Sequence, residues 1–125
     1  MAQPIRVVIA DDSARARDGL RALLATWSEV EVVGEAVNGQ EAVRLVAECQ
    51  PDVVLMDLHM PVLDGAQATQ LVKQQWPSIT VIVLTMYAAE QTAALAAGAD
   101  AFLIKGGAPE RLLAALGMGV AGGER

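Results

Sequence analysis

The sequence has little of what usually announces a chemistry. It has one cysteine, Cys49, so no intramolecular disulfide can form. Its neighbours Val46 and Ala47 mark it as a small core residue rather than a redox centre. There is one histidine, His59, and one phenylalanine, Phe102. No run of Lys or Arg occurs, which excludes a direct DNA or RNA surface, because phosphate neutralisation needs clustered cations. No apolar stretch approaches the ~20 residues of a membrane-spanning helix. Met1 to Pro4 leads straight into a strand pattern without signal-peptide organisation, so the protein is expected in the cytoplasm and off the membrane. Internal repeats and low-complexity segments are also absent.

What is there suits one folded domain. The chain has 125 residues, of which 54% are hydrophobic and 19% charged, enough for one sizeable core and too little charge for a disordered chain. Nine basic and 15 acidic residues give a net charge of −6. Short apolar runs alternate with helical periodicity. The runs Ile5–Ala10, Val30–Ala36, Val53–Met56, Ile79–Leu84 and Ala101–Ile104 predict five strands. Glu31 and Glu35 are expected on one wetter face of the second strand, an edge.

Five helices are expected between and after these strands. Ser13 caps the first, with Leu20, Leu23, Leu24 and Trp27 as its inner stripe. Asn38 and Glu41 open the second as a capping box, running to about Cys49, with Pro51 beyond. Asp64 and Gln67 open the third, which turns Ala68, Leu71 and Val72 inward and ends at Trp76-Pro77. An alanine-rich fourth runs from Ala88 to Ala97 and stops at Gly98. Pro109 starts the fifth, with Leu113, Leu116 and Val120 on one side. This alternation predicts an α/β fold with a parallel sheet and right-handed crossovers, so that ligands bind beyond the carboxyl ends of the strands.

Asp11 and Asp12 lie just past the first strand run, Asp57 just past the third, Thr85 past the fourth and Lys105 past the fifth. Taken singly, Asp11-Asp12 reads first as helix-cap chemistry, and Asp57 reads as readily as an acid in a surface turn. Taken together, three carboxylates, a hydroxyl and an ammonium at neighbouring strand ends suit a hard divalent cation beside a phosphoryl group. Pro61 and Gly65 are read as loop-shaping.

The stretches VVIADDS, VVLMDLHMPVLDG, VIVLT and AFLIK, spread over the whole chain, resemble the receiver domain of bacterial two-component response regulators. The run DGLRALLATWSEVEVVGEAVNGQEAV further resembles the subfamily whose receivers precede a LuxR/NarL-type helix-turn-helix domain. The resemblance implies a flavodoxin-like, doubly wound sheet of order 2-1-3-4-5 flanked by five helices. It implies that Asp57 is the phospho-acceptor, served by a sensor histidine kinase or a small phosphodonor. Mg2+ would be held by Asp12, Asp57 and the backbone carbonyl of His59, with Asp11 acting through water. Thr85 and Lys105 would bind phosphoryl oxygens. Phe102 would be the rotating aromatic of the switch, against an ordinary core role.

Departures from the family pattern carry expectations of their own. Phe102 lacks the hydroxyl of the common tyrosine, which implies a shallower energy difference between its two rotamers. Met86 stands where a small residue is common, and with Tyr87 and the His59 side chain is expected to tune access to Asp57, slowing phosphoryl exchange and hydrolysis. Gly106 replaces a proline that follows a cis bond, leaving either a costly cis peptide or a trans one that shifts Lys105. The alanine-rich fourth helix is expected to be mobile.

Residues 1–121 are thus expected to form a receiver domain, and 122–125 the start of a linker to a C-terminal DNA-binding domain in a longer protein. The expected activity is that of a regulatory domain with only self-phosphorylation and slow self-dephosphorylation. Its output would be transcriptional, with a homodimer through the first and fifth helices or through the face of the fourth helix, fifth strand and fifth helix. The alternatives are a stand-alone receiver acting by protein contact, a haloacid-dehalogenase-like phosphotransferase, a flavodoxin-like cofactor binder, and a receiver-shaped structural domain. His59 stands where the second acid of a dehalogenase-like site belongs. Asp11-Asp12 would repel the phosphate of a flavin.

Overall fold

The computed structural model describes residues 3–121, with side chains described through 117. The proposed linker, 122–125, lies outside the described residues. Strands β1 (Ile5–Ala10), β2 (Val30–Ala36), β3 (Val53–Asp57), β4 (Thr80–Thr85) and β5 (Ala101–Ile104) form one parallel sheet of order β2-β1-β3-β4-β5. Helices α1 (Ala14–Leu24), α2 (Gly39–Cys49), α3 (Gly65–Gln75), α4 (Gln91–Ala96) and α5 (Pro109–Ala121) connect and follow the strands.

Alternation along the strands splits the core in two. Val8, Ala10, Val54, Met56, Val81 and Val83 face α2, α3 and α4, meeting Ala42, Val46, Ala68, Val72 and Ala94. Val7, Ile9, Leu55, Ile82 and Leu84 face α1 and α5, meeting Leu24, Leu112 and Leu116. β3 is buried along its whole length, which explains its continuous apolar run. Each fully buried Val, Leu or Ile contributes roughly 1.5–3 kcal/mol.

The capping residues act as read. The Ser13 Oγ accepts from the Ala16 amide at 3.1 Å, Asn38 Oδ1 from Glu41 at 2.7 Å and Asp64 Oδ1 from Gln67 at 2.8 Å. Glu41 closes its box one residue early, accepting from the Val37 amide at 2.8 Å.

Several placements differ from the sequence expectation. Glu31 and Glu35 do not share a face, because the register passes from Val7↔Val32 to Val8↔Gly34 and leaves Val33 as a bulge. The extra residue turns Glu35 onto α1, where it pairs with Arg17 and Arg21. Trp27 packs from the turn after α1 rather than from the helix. On α3, Thr69 is buried while Leu71 is exposed. On α5, Leu112 takes the inner position given to Leu113, which is exposed; the side chain of Val120 lies outside the described residues. The fourth helix begins as a 3-10 turn, Ala88–Glu90, and only Gln91–Ala96 is α-helical. Cys49 is half-buried, its thiol 4.0 Å from the Val33 carbonyl oxygen.

Candidate functional site

The chain reverses direction across the sheet between β1 and β3, and the loops leaving these two strands part to opposite faces. Pairing of Ala10 with Met56, Asp57 with Leu84, and Thr85 with Ile104 brings four strand ends level. Asp57 and Thr85 are the last residues of their strands; Asp11, Asp12 and Lys105 are the first residues beyond theirs.

Carboxylate oxygens of Asp11, Asp12 and Asp57 lie within 4.8 Å of one another. Asp11 and Asp57 are buried, and Asp12 is exposed. Lys105 reaches into this group, its Nζ 2.7 Å from Asp11 Oδ2 and 3.4 Å from Asp57 Oδ1. Asp11 is held from three sides. Its Oδ1 accepts from the Ser13 amide at 2.9 Å, its Oδ2 accepts from Lys105, and its carbonyl accepts from Arg17 at 2.8 Å.

Burial pushes the Asp57 carboxyl above the usual carboxylate range, and the nearby Asp11 charge pushes the same way; Lys105 and the His59 backbone oppose them. Burial works against the Lys105 ammonium. Its hydrogen bond to Asp11 and its attraction to Asp57 and Asp11 outweigh that, so Lys105 is held above the ordinary lysine value. Three carboxylates, two of them buried, against one ammonium leave negative charge unbalanced. That donor set fits a hard, oxygen-preferring divalent cation.

Two backbone features shape the loops around the acids. A Cβ on Gly65 would lie 1.9 Å from the Asp57 carbonyl oxygen, so only glycine lets the start of α3 approach the end of β3. After Lys105 the peptide bond is trans, since no cis bond occurs among the described residues. Gly106 makes the turn at φ +78°. The trans form therefore leaves Lys105 at both acids, and the shift feared from losing the proline does not occur.

The remaining expected residues surround this centre. The Thr85 hydroxyl is buried and donates to Glu90 Oε1, while accepting from the Tyr87 amide at 3.3 Å. Phe102 is half-buried and packs against the core cluster shared by α2, α3 and α4. Met86 and Tyr87 are 64% and 60% exposed. The His59 side chain is exposed, stacks edge-on against Tyr87 with ring centroids 5.8 Å apart, and places Nε2 2.6 Å from Glu90 Oε2.

Glu90 is the residue that reading the sequence missed. Nothing in its local pattern sets it apart from an ordinary acid near a helix start. Its contact with Thr85 comes from the 3-10 turn, which folds a residue five positions past Thr85 back over that side chain.

The model of the response regulator receiver domain matches residues 7–117. The chain is 48% identical over 111 residues to the transcriptional regulatory protein YhcZ of Bacillus subtilis, a match covering 87% of this chain and 52% of that protein. It is 39% identical over 104 residues to the response regulator protein VraR of Staphylococcus saprophyticus, covering 82% and 50%. The chain thus spans about half the length of the curated relatives it matches. Among solved structures, the signal receiver domain of the response regulator NarL from Mycobacterium tuberculosis superposes with a TM-score of 0.88 at 32% identity, covering 97% of this chain and 99% of that one. A LuxR-family two-component response regulator from Aurantimonas gives 0.88 at 33% identity, covering 96% and 87%.

Proposed function

Since the chain belongs to the response regulator receiver family, we propose that Asp57 is its phospho-acceptor and that the domain is a phosphorylation-controlled switch. The observation that carries this reading is the convergence of Asp11, Asp12, Asp57 and Lys105 at one sheet edge. A carboxylate oxygen of Asp57 attacks the phosphorus of a donor. The bond from phosphorus to the donor's leaving group breaks as the acyl-phosphate bond forms. Lys105, already 3.4 Å from Asp57, turns its ammonium to a phosphoryl oxygen, and the Thr85 hydroxyl donates to another. The residues that would hold Mg2+ are Asp12, Asp57 and the His59 carbonyl, with Asp11 through water; the ion would supply positive charge opposite the phosphoryl oxygens.

The donor class is a sensor histidine kinase or a small phosphoryl compound in the cytoplasm. The name of the Bacillus relative supports a transcriptional output. A DNA-binding domain following residues 122–125 would carry it, since the absence of clustered Lys and Arg argues against nucleic-acid binding by this domain. Dimerisation through α1 and α5, or through α4, β5 and α5, would carry the signal. Exposed Leu95, Ile104 and Leu113 supply apolar surface for it. Phe102 would follow Thr85 as the aromatic of the switch. Met86, Tyr87 and His59 would tune access to Asp57 and hence the lifetime of the phosphorylated form. A phosphotransferase of the dehalogenase kind is disfavoured by family membership and by His59 standing two residues past the acceptor.

Thermal unfolding with Mg2+ and the phosphoryl mimic beryllofluoride tests the reading. Mg2+ raises the melting temperature, and adding beryllofluoride raises it further, as expected for ligands bound only by the folded state. Asp57→Asn abolishes the beryllofluoride increment. An unchanged melting temperature for the native sequence at saturating Mg2+ and beryllofluoride would reject the assignment.

A further inference from the structure

Glu90 holds two groups of the site at once. One carboxylate oxygen accepts the Thr85 hydroxyl, and the other lies 2.6 Å from His59 Nε2. A threonine hydroxyl has a single proton to donate. Here that proton points to Glu90, while the same oxygen accepts from the Tyr87 amide. A hydroxyl engaged in this way cannot also donate to a phosphoryl oxygen on Asp57. A phosphoryl group also adds negative charge that repels a neighbouring carboxylate. The Thr85–Glu90 contact and the Thr85–phosphoryl contact are therefore alternatives.

We propose that Glu90 is an internal competitor of the phosphoryl group, a latch that holds Thr85 and His59 in the resting state and releases them when Asp57 is occupied. The proposal rests on Asp57 being the acceptor. Glu90 acts through Thr85 and does not touch the reacting atoms, so it is a positioning residue. It ends the 3-10 turn and stands immediately before the first residue of α4, so its release shifts the start of that helix. Occupancy of the pocket is thereby linked to the α4 surface by one side chain. The contact favours the ionised acid: the Thr85 hydroxyl holds the Glu90 carboxyl below its usual range, burial opposes it, and His59 adds to the lowering.

The latch lowers the fraction of molecules ready to bind a phosphoryl group, and the apparent dissociation constant rises in proportion. The test is a beryllofluoride titration at saturating Mg2+ on the full chain, its Glu90→Ala, Glu90→Gln and Thr85→Ala variants, and the Thr85→Ala/Glu90→Ala double variant. Glu90→Ala is expected to bind about fivefold to tenfold more tightly. Glu90→Gln, which keeps an acceptor but drops the charge, falls between it and the native chain, and carries the test if the alanine variant does not fold. In the Thr85→Ala background the Glu90→Ala gain disappears, a coupling that a merely structural role would not produce. Unchanged or weaker binding in both Glu90 variants overturns the latch, as does an equal gain without the Thr85 hydroxyl. Failure of the native chain to bind beryllofluoride, or equal binding by Asp57→Asn, overturns the acceptor assignment and the latch with it.

Discussion

At the scale of single residues, the site works because it is uncomfortable. Asp57 is 6% exposed, beside another buried acid, with Lys105 as the nearby cation. Its carboxyl is raised above the unfolded value by burial and by Asp11. Between the unfolded and folded values the native state holds more protons than the unfolded chain. Stability contributed by Asp57 therefore falls as pH rises through that window, and the ionised form weakens the fold at neutral pH. Asp57→Asn removes the charge and keeps the shape. It is expected to stabilise the domain at pH 7 by about 0.5–2 kcal/mol, the common return on relieving a functional site. The gain should shrink toward zero as pH falls below ~4, where the acid is protonated in both states. Urea unfolding across a pH series checks this; a variant less stable than the native chain at pH 7 would contradict it.

At the scale of elements, the loop from β3 to α3 carries the clearest local conflict. Val62 sits at φ +70° with 75% of its surface exposed. The left-handed region costs an L-residue roughly 1–2 kcal/mol, and β-branching makes it worse. At such exposure little burial is left to offset that cost. Val62→Gly is expected to stabilise the domain by about 0.5–1 kcal/mol after the entropic cost of glycine. A lowered melting temperature for that variant would show that the valine is held by contacts of its own. The same elements show what was legible beforehand. Strand runs, caps at Ser13, Asn38 and Asp64, and the stops at Gly98 and Trp76 are local signals, and they were readable. The bulge at Val33 was missed although Gly34 beside it is the local sign of one; which residue is left unpaired is set by the pairing with β1. The choice of Leu112 over Leu113 depends on where α5 meets the sheet, which periodicity cannot resolve between adjacent leucines. Asp11, Asp12, Asp57, Thr85 and Lys105 were legible because each stands at a strand end. Glu90 was hidden because its reach depends on a 3-10 turn inside an alanine-rich stretch.

At the scale of the whole molecule, one topological fact does most to build the site. Placing β1 beside β3 rather than beyond β2 juxtaposes acids 45 and 46 residues apart in sequence (57 − 12 and 57 − 11), and β4 and β5 then deliver Thr85 and Lys105 alongside. The two core layers on either face fix the sheet, so the strand ends stay level without a disulfide. Among the described residues, no helix is long and apolar enough to cross a membrane. The central claim is that this edge accepts a phosphoryl group at one carboxylate. Its most direct test is to treat the native chain with Mg2+ and acetyl phosphate, then weigh the protein and map the modified peptide by mass spectrometry. The account predicts one phosphoryl group per chain, on the peptide containing Asp57, absent without Mg2+ and absent in Asp57→Asn. A chain that stays unmodified, or one that carries the group elsewhere, would contradict it.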